Sequence, residues 1–281
     1  MELYKAKFLL QSYHYQDAID TLENRLNSYE SWSIYLNALQ HLRQDNEVKD
    51  KIISLFKDPF QYPDIEYYYI ILRNSGHLFE FEKAIANLQQ ALEYFQNLGN
   101  KFVESTCLNN IGILYLYQDQ NKENIYRARN YFNQAKRIMH QIKSNEEYQS
   151  IINIGVSYIC ENNPRLALEY FECALTIMPS SLMFDIIKLK CNISICKYLI
   201  NNEEINNTRE ELLDLCSEAE SLPDPWIKLL CIYNLYILRK DDTNFNILQE
   251  NYPGNIYLYG LILKVHNIDG FMLGISPHWR Y

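Results

Sequence analysis

Side chains able to make and break bonds are spread thinly along these 281 residues, and their spacing does not gather them. The six histidines (14, 41, 77, 140, 266 and 278) stand apart, so none has the neighbour that would make it a general base or a metal ligand. Seven cysteines (107, 160, 173, 191, 196, 216 and 231) form no CxxC pair and are odd in number. That argues against a zinc knuckle and a disulfide framework, and for buried thiols in a reducing compartment. No GxxxxGK phosphate loop, HExxH or GxSxG elbow occurs, and the many carboxylates have no spacing that singles out an acid and base pair. No enzyme, cofactor or metal site is expected. What remains is amide chemistry. Asn109, Asn110 and Asn153 fall inside helical patterns, where asparagine is unfavourable because its side chain competes for the backbone. An amide donates and accepts, so it can hold the backbone of an extended peptide without reading its side chains. The competing explanation is an Asn-rich composition, visible also at Asn24, Asn27, Asn192 and Asn206.

The elements that must carry these residues are helix hairpins. From Tyr148 to Ser181, Ile151, Ile154, Gly155 and Tyr158 lie at helical spacing, a turn falls at Asn162 and Asn163, and Ala167, Phe171, Ala174 and Pro179 follow. Gly155 and Ala174 let two helix backbones approach at the short end of the usual ~8–10 Å, with Tyr158 and Phe171 beside them. Asn163 is the expected N-cap and Pro164 the first helical residue, and Pro179 is the stop. The same pattern recurs at 29–62, 65–98 and 105–138, with Val48 twelve residues after Leu36 and Ala84 twelve after Leu72, as Ala167 follows Gly155. Between Gly112 and Ala128 the offset is sixteen, so an extended turn is expected at Gln118 to Asn124, either a tolerated surface insertion or a place where a partner is touched.

Outside these units the pattern weakens. Residues 1–28 read as an N-terminal capping hairpin and 182–254 as degenerate helix hairpins. Residues 255–281 read as a capping helix followed by a non-helical aromatic tail, GFMLGISPHWRY. Phe271, Trp279, Arg280 and Tyr281 make that tail a lid on its own chain or a peptide offered to a partner.

The totals set further limits. Apolar runs such as Ile256 to Val265 are about half of what a membrane span needs, and Met1 to Ser12 is charged, so no membrane association and a cytoplasmic location are expected. The net charge of -9 excludes a surface that tracks a nucleic-acid backbone. Charge is uneven: Glu203 to Asp224 carries eight acids against Arg209, and Lys122 to Lys143 six bases against Glu123. Neighbouring fields of opposite sign are a solvated outer face, or a means of steering a charged partner or a second copy into a homo-oligomer.

The small, aromatic and proline positions of the Tyr148 to Ser181 hairpin resemble the tetratricopeptide repeat (TPR) over its ~34-residue length. That resemblance implies an all-α, right-handed superhelix, or α-solenoid, of stacked antiparallel helix hairpins, whose first helices line a concave groove for a peptide or protein segment. Carried onto this chain, it places Arg73, Asn109, Asn110, Ile113, Tyr117, Gln149, Asn153 and Val156 in the groove, with Gly76 and His77 beside Arg73. The strings NNIGxxY and INIGxxY are similar to those of the Rap, NprR and PlcR group of bacterial peptide receptors. That likeness implies a non-enzymatic adaptor, sensor or regulator that holds a short peptide with such asparagines. No helix-turn-helix is evident before the repeats, so a DNA-binding regulator of that group is not expected, and only Arg73 suits the grip on a terminal carboxylate used by chaperone-binding repeats. The alternative is a structural or inhibitory subunit acting through the acidic flank or the aromatic tail.

Overall fold

Caps and apolar stripes place helices along the chain with short links between them. The computed structural model describes residues 1–12, 14–42, 45–75, 78–118, 121–222 and 225–239, and within these the chain is all-α. In the Met1–Asn100 unit the helices are α1 (Glu2–Gln11), α2 (Tyr15–Leu22), α3 (Tyr29–His41), α4 (Asp45–Leu55), α5 (Ile65–Asn74) and α6 (Phe81–Leu98). From Lys101 onward they are α7 (Lys101–Gln118), α8 (Lys122–Gln141), α9 (Glu147–Cys160), α10 (Pro164–Ile177), α11 (Met183–Ile200), α12 (Ile205–Glu220) and α13 (Pro225–Arg239). Within each unit antiparallel hairpins stack in chain order, the TPR-like arrangement. The turn at Gly76 and His77, the helices expected near 245–248 and 256–266, and the aromatic tail with Phe271, Trp279, Arg280 and Tyr281 lie outside the described residues.

The first unit is organised around Tyr29, which is fully buried. Its ring meets those of Tyr62 and Tyr68 edge-on at 5.0 and 5.4 Å, and its hydroxyl donates to the Asp58 carbonyl at 2.8 Å. The Asp64 carboxylate, just before α5, accepts from the backbone N–H groups of Tyr29 and Glu30 at 3.1 and 2.8 Å. One hairpin thus caps the first helix of the hairpin before it, adding to the capping box of Ser28 and Ser31. Tyr67 donates to Glu30 at 3.1 Å, and burial together with that carboxylate pushes its phenol up to about 12. At the end of α6, Gly99 takes the left-handed conformation expected of a C-cap, with φ 73°.

The second unit shows why the small residues recur. A Cβ built on Gly155 would lie 2.5 Å from Phe171 Cε1, and one on Gly112 would lie 2.5 Å from Phe132 Cε1. Each phenyl ring rests on the bare backbone of the partner helix, and Ala128, Ala135, Ala167 and Ala174 are all fully buried around them. In α10, Asn163 accepts from the Leu166 N–H and Pro164 is the first helical residue, as the sequence indicates.

The fourth hairpin corrects one expectation. Its extra residues do not extend the turn: α7 ends at Gln118 and α8 begins at Lys122, a link as short as that between Cys160 and Pro164. The helices lengthen instead, because Asn121 caps α8 by accepting from Asn124 N, and Glu123 pairs with Arg127 one turn on.

Alanine is worth about 1 kcal/mol more than glycine inside a helix, while overpacking a tight core costs about 1–3 kcal/mol. At Gly155 the second effect wins, since the obstructing atoms belong to a fully buried ring. Urea unfolding of Gly155→Ala is expected to show a net loss of roughly 1 kcal/mol or more. The same change should become neutral or stabilising in a Phe171→Leu background, as a double-mutant cycle will show.

Candidate functional site

The first helices α7 and α9 are buried nearly all round, so their polar side chains lie inside the protein and have to be satisfied there. Asn109 and Asn153 are both fully buried, and Asn110 is 5% exposed. Asn153 Nδ2 donates to Asn109 Oδ1 at 3.0 Å, and the Ser150 hydroxyl donates to the same oxygen at 3.4 Å. Two of the asparagines picked out by sequence are therefore in direct contact, although 44 residues separate them. Ile113 and Val156 belong to the apolar core of this unit, and Tyr117 is half-buried against it. Gln149, 3% exposed, occupies the first turn of α9 and reaches Tyr148 and Glu146. Arg73 belongs to the first unit, where it is buried and its Nε donates to Asn74 Oδ1 at 2.9 Å.

Burial of asparagine extends beyond the residues chosen from sequence. Each first helix from α3 onward carries at least one: Asn37, Asn74, Asn109 with Asn110, Asn153, Asn192 and Asn234. Asn192, which composition alone would explain, is fully buried in α11, and Asn234 in α13 donates to Cys191 Sγ at 3.3 Å. The signal was present as one Asn per first helix. It was hidden because these residues do not hold one register position.

Sequence reasoning also missed Arg129, counted there as one surface charge in a basic run. Its guanidinium bonds the Ser157 hydroxyl at 2.9 Å and the Ser157 carbonyl at 3.3 Å, pairs with Glu161 at 2.7 Å, and lies 3.8 Å from the centre of the Tyr158 ring. A second helix thereby grips the end of the next first helix. Stacked pairs Tyr115 with Tyr131 and Tyr158 with Tyr170 repeat beside these contacts, one pair per hairpin.

No family model and no curated protein matches the sequence. Among solved structures, the chain is similar to a Rap protein complexed with competence and sporulation factor, at 13% identity over 94% of this chain and 79% of that one, with a TM-score of 0.61. It is also similar to the apo form of RapI, at 16% identity over 92% of this chain and 79% of that one, with a TM-score of 0.53. The chain shares its fold with the Rap proteins.

In this Rap-like fold the acidic run is partly neutralised from within. Lys197 holds Glu211 at 2.8 Å, Lys228 holds Glu220 at 2.8 Å, and Lys190 lies 3.6 Å from Glu218. Burial acts to raise the Glu211 carboxyl, but Lys197 and the Ser194 hydroxyl outweigh it and hold the group below its ordinary value. Burial pushes the Cys160 thiol up to about 12 and the Cys216 thiol up to about 11, so neither supplies a thiolate nucleophile near neutral pH. Among the described residues no three His, Cys, Asp or Glu side chains are grouped to hold a metal, and no helix is long and apolar enough to cross a membrane.

Two outcomes follow. Asn109→Ala removes the acceptor that Ser150 and Asn153 share and is expected to cost about 1–3 kcal/mol, with the Asn109→Ala/Asn153→Ala pair costing less than the two single changes added, measured by urea unfolding. For Glu211 the folded-state value is depressed, so its contribution is present above the ordinary carboxylate range and is lost as pH falls through the folded value. Glu211→Gln should accordingly reduce stability at neutral pH and flatten part of its decline in acid, as a melting series across pH will report.

Proposed function

We propose that this protein is a non-enzymatic adaptor or sensor of the cytoplasm that binds a peptide or protein segment along the first helices α7 and α9 of its second unit. The observation that carries the reading is the meeting of Asn109 and Asn153 on neighbouring first helices, with Asn110 beside them. The likeness to a Rap protein that holds competence and sporulation factor supports it. Amide pairs suit this task because their donors and acceptors can be handed from one another to a peptide backbone at little net change in hydrogen bonding. The ligand gains only the difference, which favours an extended peptide with many N–H and C=O groups over a small apolar molecule.

The test is a fluorescence-anisotropy screen of the full chain against pools of short, unmodified synthetic peptides, followed by the Asn110→Ala and Asn153→Ala variants. At least one pool should bind, and each variant should weaken it about fivefold or more while keeping wild-type helicity. Binding by no pool, or equal binding by both variants, would remove the assignment.

A further inference from the structure

Internal ion pairs leave two second helices of the second unit with opposite charge on their outer sides. On α8, Arg127 is answered by Glu123 and Arg129 by Glu161. Lys122, Arg137 and, in the turn after α8, Lys143 are exposed and Lys136 is half-buried; among the described residues none of the four has a carboxylate within ion-pair reach. On α12, Glu211 and Glu220 are held by Lys197 and Lys228, and Glu218 loosely by Lys190 at 3.6 Å. Glu203, in the short helical turn Asn202–Glu204 ahead of α12, is exposed, as are Glu210 and Asp214, and among the described residues no cation answers these three. Each charged face also carries a bare apolar side chain, Tyr126 on α8, 68% exposed, and Leu213 on α12, 41% exposed. α8 packs on α7 and α9, and α12 on α11 and α13, with their other sides turned to solvent.

The two faces match one another in spacing as well as in sign. Helices rise by a constant step per residue, and Lys122 and Arg137 are separated by the same number of residues as Glu203 and Glu218. Laid antiparallel with Lys122 against Glu218, α8 therefore brings Arg137 close to Glu203 at the other end, and Tyr126 comes beside Leu213 and Asp214. A foreign acidic partner would answer α8 alone and leave the α12 face unmatched. A second copy answers both, and a two-fold pair makes the contact twice. We propose that the α8 face of one copy docks antiparallel on the α12 face of a second copy, the charges setting orientation and register while Tyr126 and Leu213 exclude water between them. Exposed ion pairs are individually weak and screened by salt, so this self-association is weak and salt-sensitive. It uses second helices and is independent of peptide binding by α7 and α9.

Sedimentation equilibrium of the full chain tests this. The wild type should self-associate at about 100 µM protein in low salt, and about tenfold more weakly in roughly 0.5 M salt. Lys122→Glu/Arg137→Glu makes both faces acidic, and Glu203→Lys/Glu218→Lys makes both basic. Each double variant, checked for wild-type helicity and urea midpoint, should stay monomeric by itself. Mixed in equal amounts the two should associate again, because each reversed face now meets a reversed partner. Should a double variant lose helicity, the single changes Arg137→Glu and Glu203→Lys, at exposed positions, carry the same test. A wild type that remains monomeric at that concentration, association unchanged by salt or by either reversal, or a mixture of folded variants that remains monomeric overturns the assignment.

Discussion

The contact on which the second unit depends is a phenyl ring lying on a glycine. Phe132 and Phe171 occupy space next to Gly112 and Gly155 that any Cβ would enter. The gain is dispersion between a flat ring and a bare helix backbone, over an area no branched side chain could cover as closely. The alanines at 128, 135, 167 and 174 serve the same approach from the facing helix. Because this distance is fixed by excluded volume rather than by attraction, each hairpin closes to one separation, and the next hairpin meets a surface of defined shape.

Close approach has a consequence for polarity. When α8 and α10 press against α7 and α9 this tightly, the first helices have little surface left for water, and residues that a freer helix would solvate become internal. Ser105 then donates to the Ala135 carbonyl at 2.8 Å, Ser157 to the Ile154 carbonyl at 2.6 Å, and Asn153 to Asn109. Such groups are costly if left alone and specific if paired, because a side chain placed one turn away would have no partner. The amides therefore help set which first helix lies beside which, in addition to any part they take in holding a ligand.

The hairpin of α9 and α10 could be read almost to the residue, since every rule that shapes it is local: a cap at Asn163, a proline at the first turn, a small residue at each helix crossing. The first unit was less legible. Its core is a cluster of tyrosines whose partners lie about a repeat away, Tyr29 with Tyr62 and Tyr68, and periodicity cannot say which aromatic meets which. The lengthened fourth hairpin was misjudged for a related reason. A sixteen-residue offset is as consistent with longer helices as with a longer turn, and the choice was made by Asn121 acting as a cap. Arg129 was unreadable because its partners, Ser157, Tyr158 and Glu161, belong to the following hairpin. Sequence marked Asn109 and Asn153 as unusual; only packing shows that they find each other.

Under the proposed function, their pairing also bears on how the chain would respond to a peptide. An amide already bonded inside the protein offers no large enthalpy to a newcomer, because each bond made to a peptide replaces one given up. Under that proposal, selectivity would come from what the peptide does to the spacing of α7 and α9. A bond between two first helices that is exchanged for a bond through a peptide changes the distance those helices prefer, while the glycine and phenylalanine contacts hold each hairpin rigid within itself. Under the proposed peptide-binding role, strain from such an exchange would pass between hairpins rather than be absorbed inside one; Arg129 already ties α8 to the end of α9. Rigid hairpins with exchangeable bonds between them are the physical requirement for a scaffold that signals occupancy by a shift of its repeats.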